Sequence, residues 1–208
     1  INFKPLVGTQ AVTCGTNYPS KGAVPTPITP RDFSFYAYDI KLLAANGETS
    51  ALTLDQNEWQ NQNVAMLDFE NFTGGCMDGT PATNLKVTGM VANGTYRGIS
   101  FRVGIPNAMN HKDLTTAPAP LNASSLFWDW NFGHIFLAVV THADIPASGT
   151  DPAGTNDHYF HVGSTGCTGD ATMGQAVTCT NVNSPLVEVT GFDPLTKPVI
   201  ADFAAPLT

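Results

Sequence analysis

The segment FSFYAYDIKLLAANGE (33–48) constrains the fold more than any other part of the chain. Apolar and aromatic side chains alternate along it with a period of two, which is the period of a β-strand. A strand here would present two different faces. One face would carry Phe33, Phe35, Ala37 and Asp39, and the opposite face Tyr36 and Tyr38.

Turn dipeptides separate further segments of the same kind. Asn46-Gly47 ends the first strand, and a second strand is expected from about Ser50. Asn93-Gly94 lies between two alternating runs, 87–91 and 96–103, and predicts a hairpin. Other β-compatible segments are 1–8, 64–71, 184–192 and 198–207. Helical periodicity is weak, and 121–140 is the one stretch that could hold a short helix.

These patterns predict an all-β fold, an antiparallel, sandwich-like single domain (1–208) with long irregular loops. The 19 glycines and 15 prolines fit many turns, and a hydrophobic fraction of 42% is enough for a core. Charged residues make up 12% of the chain, with a net charge of -8, so nucleic acid is not an expected partner. No run of eighteen apolar residues occurs, and the protein is not expected to span a membrane.

The cysteines indicate an oxidising compartment. Cys167 and Cys179 lie twelve positions apart across a Gly/Thr-rich loop, a spacing that favours a local disulfide. Cys14 and Cys76 then pair by elimination. The alternative is a zinc or copper thiolate site, although no Cys-x-x-Cys spacing occurs. Together with an N-terminus at Ile1 that lacks a signal segment, the disulfides predict a mature exported protein of the periplasm, the outer cell surface or the medium.

Candidate metal ligands concentrate in the segment 105–139. Met109 and His111 lie two positions apart, and an extended backbone would place them on the same side. A second group, DHYFHVGSTGC (157–167), contributes His161. Imidazole suits copper and zinc, and a thioether favours Cu(I). Trp128 and Trp130 lie between the two groups, in FWDWNFGHIF (127–136).

Each candidate also has a structural interpretation. A histidine such as His111 is often a hydrogen-bonded loop residue, and His161 fits a strand histidine whose ring is satisfied by neighbours. Met109 fits a core gap-filler, and both tryptophans fit core packing. His134, within an apolar run, is interpreted as structural.

Motifs of enzyme catalysis do not occur in the chain. GSTG is not the Gly-x-Ser-x-Gly nucleophile elbow, and no phosphate loop, His-Glu-x-x-His or EF-hand pattern is present. No general base or nucleophile is paired, so the chain is not expected to be an enzyme. The loop residues Asp78, Asp151, Asp157 and Asp170 could take a structural calcium ion, without matching a specific motif.

Six segments, in this order and with all four cysteines placed, resemble a known family. They are RDFSFYAYDIKLL, EWQNQNVAMLDFENFTGGCMDGT, YRGISFRVGIPNAMNH, APLNASSLFWDWNFGHIF, FHVGSTGC and CTNVNSPLVEVTGF. The family is that of exported bacterial copper-binding proteins with a four-cysteine motif. It includes MbnP-like proteins of methanobactin gene clusters and methanotroph surface copper proteins of the CorA and MopE type.

The resemblance implies copper, as Cu(I) or Cu(II), bound by His111 and His161 in a protein of copper acquisition or homeostasis. It also implies a diheme cytochrome c peroxidase-like partner that converts a tryptophan near the metal to kynurenine. The sequence departs from the family pattern at Gly133-His134, where Gly-Tyr is expected, and no tryptophan stands beside His111. Trp128 or Trp130 would then take that role across space, or Met109 would be the third ligand. The alternative function is a disulfide-stabilised module that docks the cytochrome partner without a metal site of its own.

Overall fold

The computed structural model describes residues 1–19, 26–76, 79–143 and 157–207. The strands are β1 (Phe3–Val7), β2 (Gln10–Ala11), β3 (Ile28–Ala44), β4 (Thr49–Ala51), β5 (Thr53–Leu54), β6 (Gln60–Asn61), β7 (Val64–Asp68), β8 (Gly89–Met90), β9 (Tyr96–Val103), β10 (Phe127–Asp129), β11 (Gly133–Ala143), β12 (Asp157–Gly163), β13 (Thr165–Thr168), β14 (Thr178–Asn181), β15 (Leu186–Thr190) and β16 (Val199–Asp202). One α-helical turn, α1 (Asn107–Asn110), and 3-10 turns at Ser124–Leu126, Ala171–Met173 and Ala205–Leu207 complete the described elements.

The long strand β3 organises the fold. Its first part pairs with β11 on one side and β7 on the other, and its last part pairs with β9 and β4. On one side, β9 replaces β11 between Phe35 and Ala37. On the other side, β4 replaces β7 across Asp39, where φ is 53° and the register with β9 shifts. The predicted strand and its Asn46-Gly47 turn are confirmed. Both faces of β3 are buried from Asp32 to Ala37.

The sheets form an open, mostly antiparallel sandwich, which confirms the predicted fold class. The large sheet has the order β10-β11-β3-β7-β6, with β12 added to β11, β9 and β4 to β3, and β15 to β9. A smaller sheet, β16-β1-β2, contains a parallel pair that the sequence did not indicate. The strands β13 and β14 form a separate ribbon. Both disulfides, Cys14–Cys76 and Cys167–Cys179, are formed as predicted.

The two faces of β3 pack against different groups of residues. One face contributes to a cluster of aromatic rings in edge-to-face, tilted and stacked contacts, formed by Phe3, Phe33, Phe35, Phe69, Phe101 and Phe203. The opposite face carries Tyr36, whose hydroxyl donates to the Pro120 carbonyl oxygen at 2.9 Å and whose ring lies edge-to-face against His134 at 5.7 Å. The segment that holds the candidate ligands therefore covers this second face.

Several local predictions are wrong. The Asn93-Gly94 hairpin does not form, because β8 pairs with β5 and β9 pairs with β3 and β15. No α-helix forms within 121–140, which contains a 3-10 turn, β10 and most of β11. Within the described ranges, the structure holds no helix with the length and apolarity that a membrane crossing requires.

The acidic residues considered for calcium fall in different places. Asp78 and Asp151 lie outside the described residues. Asp157 Oδ1 accepts a hydrogen bond from His142 Nδ1 at 2.6 Å. Asp170 caps a 3-10 turn by accepting hydrogen bonds from the amides of residues 172 and 173. The last two carboxylates thus have structural roles.

Candidate metal centre

His111 stands at the end of α1, at the mouth of a cleft. The residues before it are helical rather than extended, because the Met109 and Asn110 amides donate to the Pro106 carbonyl oxygen. Side chains two positions apart on a helix do not face each other, so Met109 does not lie on the same side as His111. Met109 packs instead against the hydrophobic core.

The neighbours of the His111 ring fix its orientation. Nδ1 lies 3.2 Å from the Trp130 carbonyl oxygen. Because a carbonyl oxygen only accepts hydrogen bonds, Nδ1 carries the ring hydrogen and Nε2 keeps its lone pair. Metal-binding histidines commonly have this arrangement, with one nitrogen held by a backbone carbonyl and the other available to the metal.

Burial of the His111 ring also favours the form that binds metals. It lowers the pKa of His111, and this effect outweighs the hydrogen bond to Trp130 and the charge of Asp129, which both favour the protonated ring. The ring is therefore neutral at pH 7, and a neutral ring is the form that binds metals. The Nε2 atom lies 3.3 Å from the Asn110 side-chain nitrogen and 3.5 Å from Cys179 Sγ.

Asn110 anchors the His111 segment to β11. Its side chain is fully buried, and its Oδ1 accepts a hydrogen bond from the His134 amide at 2.8 Å. The His134 ring fills the space between two backbone carbonyls, 2.7 Å from Asn110 O and 2.9 Å from Leu121 O. Burial is the larger influence on this ring and lowers the pKa of His134. His134 is structural, as the sequence indicated.

His161 lies on β12 among aromatic rings. Its ring centroid is 5.7 Å from that of Tyr159 and 6.4 Å from that of Trp128. Trp128 packs over Gly163, where a Cβ atom would come within 2.5 Å of the indole ring. A glycine is thus required for the tryptophan to lie beside His161. Trp128, His161 and Gly163 line a groove of about 650 Å³, and Trp128 is 39% exposed.

The short segment 127–130 connects the two histidines. Its Trp130 carbonyl oxygen holds His111, and its Trp128 ring contacts His161. The Trp130 ring itself is half-buried and lies edge-to-face against Phe127. His111 lines a different cleft, of about 340 Å³, together with Asn107, Lys112 and Gln175. Both histidines therefore contact this one segment, and each lines its own cleft.

Comparison with known proteins settles the family. The MbnP family profile matches residues 1–207. The chain belongs to the MbnP family. The solved structure of MbnP from Methylosinus trichosporium is 30% identical to the chain, with a TM-score of 0.85. The match covers 98% of this chain and 74% of that one. A search of the curated proteins found no match. The resemblance described from the sequence is confirmed for this MbnP-family chain.

Sequence reasoning missed one contact of the candidate site. Among the described residues, the ligand atoms of His111, Cys167 and Cys179 all lie within 4.8 Å of one another. The sequence carries no sign of this proximity, since His111 and Cys179 are 68 positions apart. Both sulfurs belong to a disulfide, so they are not thiolate ligands in this state.

The contact between Gly133 and Asn110 predicts a mutational effect. Gly133 has φ of 77°, and a Cβ atom there would lie 2.6 Å from Asn110 Oδ1. Gly133→Ala is expected to lower the free energy of unfolding by about 2 kcal/mol, through backbone strain and displacement of Asn110. Denaturant unfolding of the wild type and of Gly133→Ala measures this loss of free energy. Gly174→Ala is the matched control, because Gly174 has φ of 73° and open space around its Cβ position. Equal losses in both variants would contradict the role of the Asn110 contact.

Proposed function

We propose that this MbnP-family protein is an exported, non-enzymatic copper-binding protein of copper acquisition or homeostasis. The observation that carries the proposal is the state of His111. Its Nδ1 donates to the Trp130 carbonyl oxygen. Its Nε2 lies beside a cleft and keeps a lone pair, which accepts a hydrogen bond from the Asn110 side-chain nitrogen at 3.3 Å that a bound metal ion would replace. Copper in both common oxidation states accepts imidazole ligands, so the donor chemistry fits the ion.

The ligands in this proposal are His111 and His161. The third position is filled by an oxidised tryptophan, as kynurenine, or by Met109. Trp128 is the stronger tryptophan candidate, because its ring contacts His161 and is 39% exposed. Trp130 presents its backbone carbonyl to His111, and its ring is half-buried. Met109 would have to leave its contacts with the core.

The proposed partner is a diheme cytochrome c peroxidase-like protein. It would oxidise the tryptophan and would need access to it. Around Trp128 the surface carries two further exposed aromatic rings, Phe132 at 46% and Tyr159 at 56% exposure. Exposed aromatic clusters of this kind are typical of protein contact surfaces. The two disulfides support a proposed location in the periplasm, on the outer surface or in the medium.

Copper titration of the native protein and its histidine variants tests the proposal. We expect one copper ion per chain for the wild type, and a loss of affinity of about a hundredfold or more for His111→Ala and for His161→Ala. His158→Ala, an exposed histidine on the same strand as His161, is the matched control and should bind as the wild type does. Undiminished binding by the double variant, His111→Ala with His161→Ala, would refute the site.

The separate clefts of His111 and His161 favour one second candidate function. In that case the chain is a docking module for the cytochrome partner, and the aromatic surface near Trp128 makes the contact. Native protein that binds no copper, but binds the partner less well after Trp128→Ala, would select this function. Peptide mapping of protein from its native host would show whether a tryptophan is converted to kynurenine.

A further inference from the structure

A second cluster of three donor atoms shares His111 with the two-histidine site but does not include His161. Cys167 and Cys179 face each other across the β13–β14 ribbon and form a disulfide. His111 Nε2 lies 3.5 Å from Cys179 Sγ, and all three ligand atoms are within 4.8 Å of one another. All three residues are half-buried, so solvent and small reagents can reach them.

The spacing of the cluster is that of a tetrahedral metal site. Sulfur about 2.3 Å and imidazole nitrogen about 2.0 Å from a zinc ion, at a tetrahedral angle, stand about 3.5 Å apart. The observed separation between Cys179 Sγ and His111 Nε2 is 3.5 Å. In addition, the Trp130 carbonyl already holds the His111 ring with its lone pair on Nε2. One nitrogen and one sulfur therefore already have the spacing of such a site, and a metal ion would replace the hydrogen bond that Nε2 accepts from the Asn110 side chain at 3.3 Å.

We propose that Cys167, Cys179 and His111 form a redox-gated metal site, which opens when a dithiol reductant reduces the disulfide. The dithiol gives up two electrons and two protons and becomes a disulfide, and the Cys167–Cys179 bond becomes two thiols. Metal binding then displaces one proton from each thiol. Two thiolates and one imidazole select a soft or borderline ion, such as Cu(I) or Zn²⁺. The cleft lined by Asn107, Lys112 and Gln175 leaves room for a solvent ligand.

This site goes beyond the proposed copper function and competes with it for one residue. His111 belongs to both donor sets, whereas His161 is not a member of the cluster. After reduction, His111 would thus bind a metal ion together with two thiolates instead of with His161. The copper site therefore requires His161, and the redox-gated site does not.

Co²⁺ binding to the full chain tests the proposal. After anaerobic treatment with a dithiol, the wild type should bind one Co²⁺ and show thiolate-to-cobalt charge-transfer absorption, which the oxidised protein should lack. His111→Ala should weaken this binding about tenfold or more. His158→Ala and His161→Ala should leave it unchanged, and this result separates the site from the two-histidine copper site. Cys167→Ser with Cys179→Ser should abolish it.

A second measurement needs no variant. Bound Co²⁺ or Zn²⁺ should slow the alkylation of Cys167 and Cys179 in the reduced wild type, as measured by peptide mass mapping. The other disulfide provides an internal comparison, because Cys76 is only 4% exposed. Reduced protein without charge-transfer absorption, or alkylation that metal does not slow, would overturn the proposal. Protection confined to Cys14 and Cys76 would also overturn it.

Discussion

Removing the Cys14–Cys76 disulfide, by Cys14→Ala with Cys76→Ala, is expected to lower the free energy of unfolding by about 4 kcal/mol. The bond joins residues 62 positions apart and so restricts a long segment of the unfolded chain. In the folded chain, that segment includes β3 and β7, which pair in the large sheet. Alanine is the suitable replacement, because Cys76 is buried and a serine hydroxyl there would need a partner.

The second disulfide provides the comparison. Cys167 and Cys179 are only 12 positions apart, and the same entropic relation gives about 3 kcal/mol for Cys167→Ala with Cys179→Ala. Denaturant unfolding of both double variants, under identical oxidising conditions, measures the two losses. A larger loss for the short loop than for the long one would show that chain entropy does not govern the stabilisation.

Replacing Asp68 by asparagine is expected to stabilise the protein at neutral and alkaline pH. Asp68 is 2% exposed, and its Oδ1 accepts a hydrogen bond from the Glu70 amide at 3.3 Å. Burial raises the pKa of Asp68 to about 7 from its ordinary 3.8, with a smaller contribution from the charge of Glu70. The folded protein therefore holds a proton that the unfolded chain releases at much lower pH. An asparagine has nearly the same shape as the protonated carboxyl and never ionises.

The pH dependence has a defined sign. Since the pKa in the folded state is the higher one, the contribution of Asp68 is fully present below pH 3.8 and is lost as the pH rises through about 7. Across that window the free energy of unfolding of the wild type should lose at most about 4 kcal/mol from this group. Denaturant unfolding of the wild type and of Asp68→Asn, at pH values from 4 to 8, measures this loss. The difference in the free energy of unfolding between the two proteins should grow with pH. A constant difference would refute the assignment.

Local patterns predicted the elements better than their partners. The alternation in 33–48 correctly indicated β3, and Asn46-Gly47 correctly indicated the turn to β4. The hairpin at Asn93-Gly94 failed although both of its flanks contain strands. β8 pairs with Thr53–Leu54 instead, far earlier in the chain. Alternation fixes which side chains share a face, but the partner of a strand depends on which edges the rest of the sheet leaves available.

At the candidate metal centre, too, the sequence indicated the residues, and the tertiary structure decided their neighbours. Residue chemistry marked His111, His161, Met109 and the two tryptophans as candidates, because few side chains offer an imidazole, a thioether or an oxidisable ring. The resemblance to the family then implied that the two histidines bind one metal ion. Residue chemistry also indicated both disulfides, since four cysteines have only three ways to pair. Helix formation over Asn107–Asn110 was not indicated, and it turned Met109 toward the core.

The sequence by itself indicated a disulfide-linked β protein of the MbnP family and named two histidines as candidate ligands. Only the tertiary structure decided which nitrogen of His111 keeps its lone pair, because Trp130 supplies the carbonyl from 19 positions away. It likewise decided that Trp128 lies beside His161 and that Cys179 lies beside His111. These contacts join segments that are distant in the chain, so they exist only once the packing of the whole sheet has closed the loops between them.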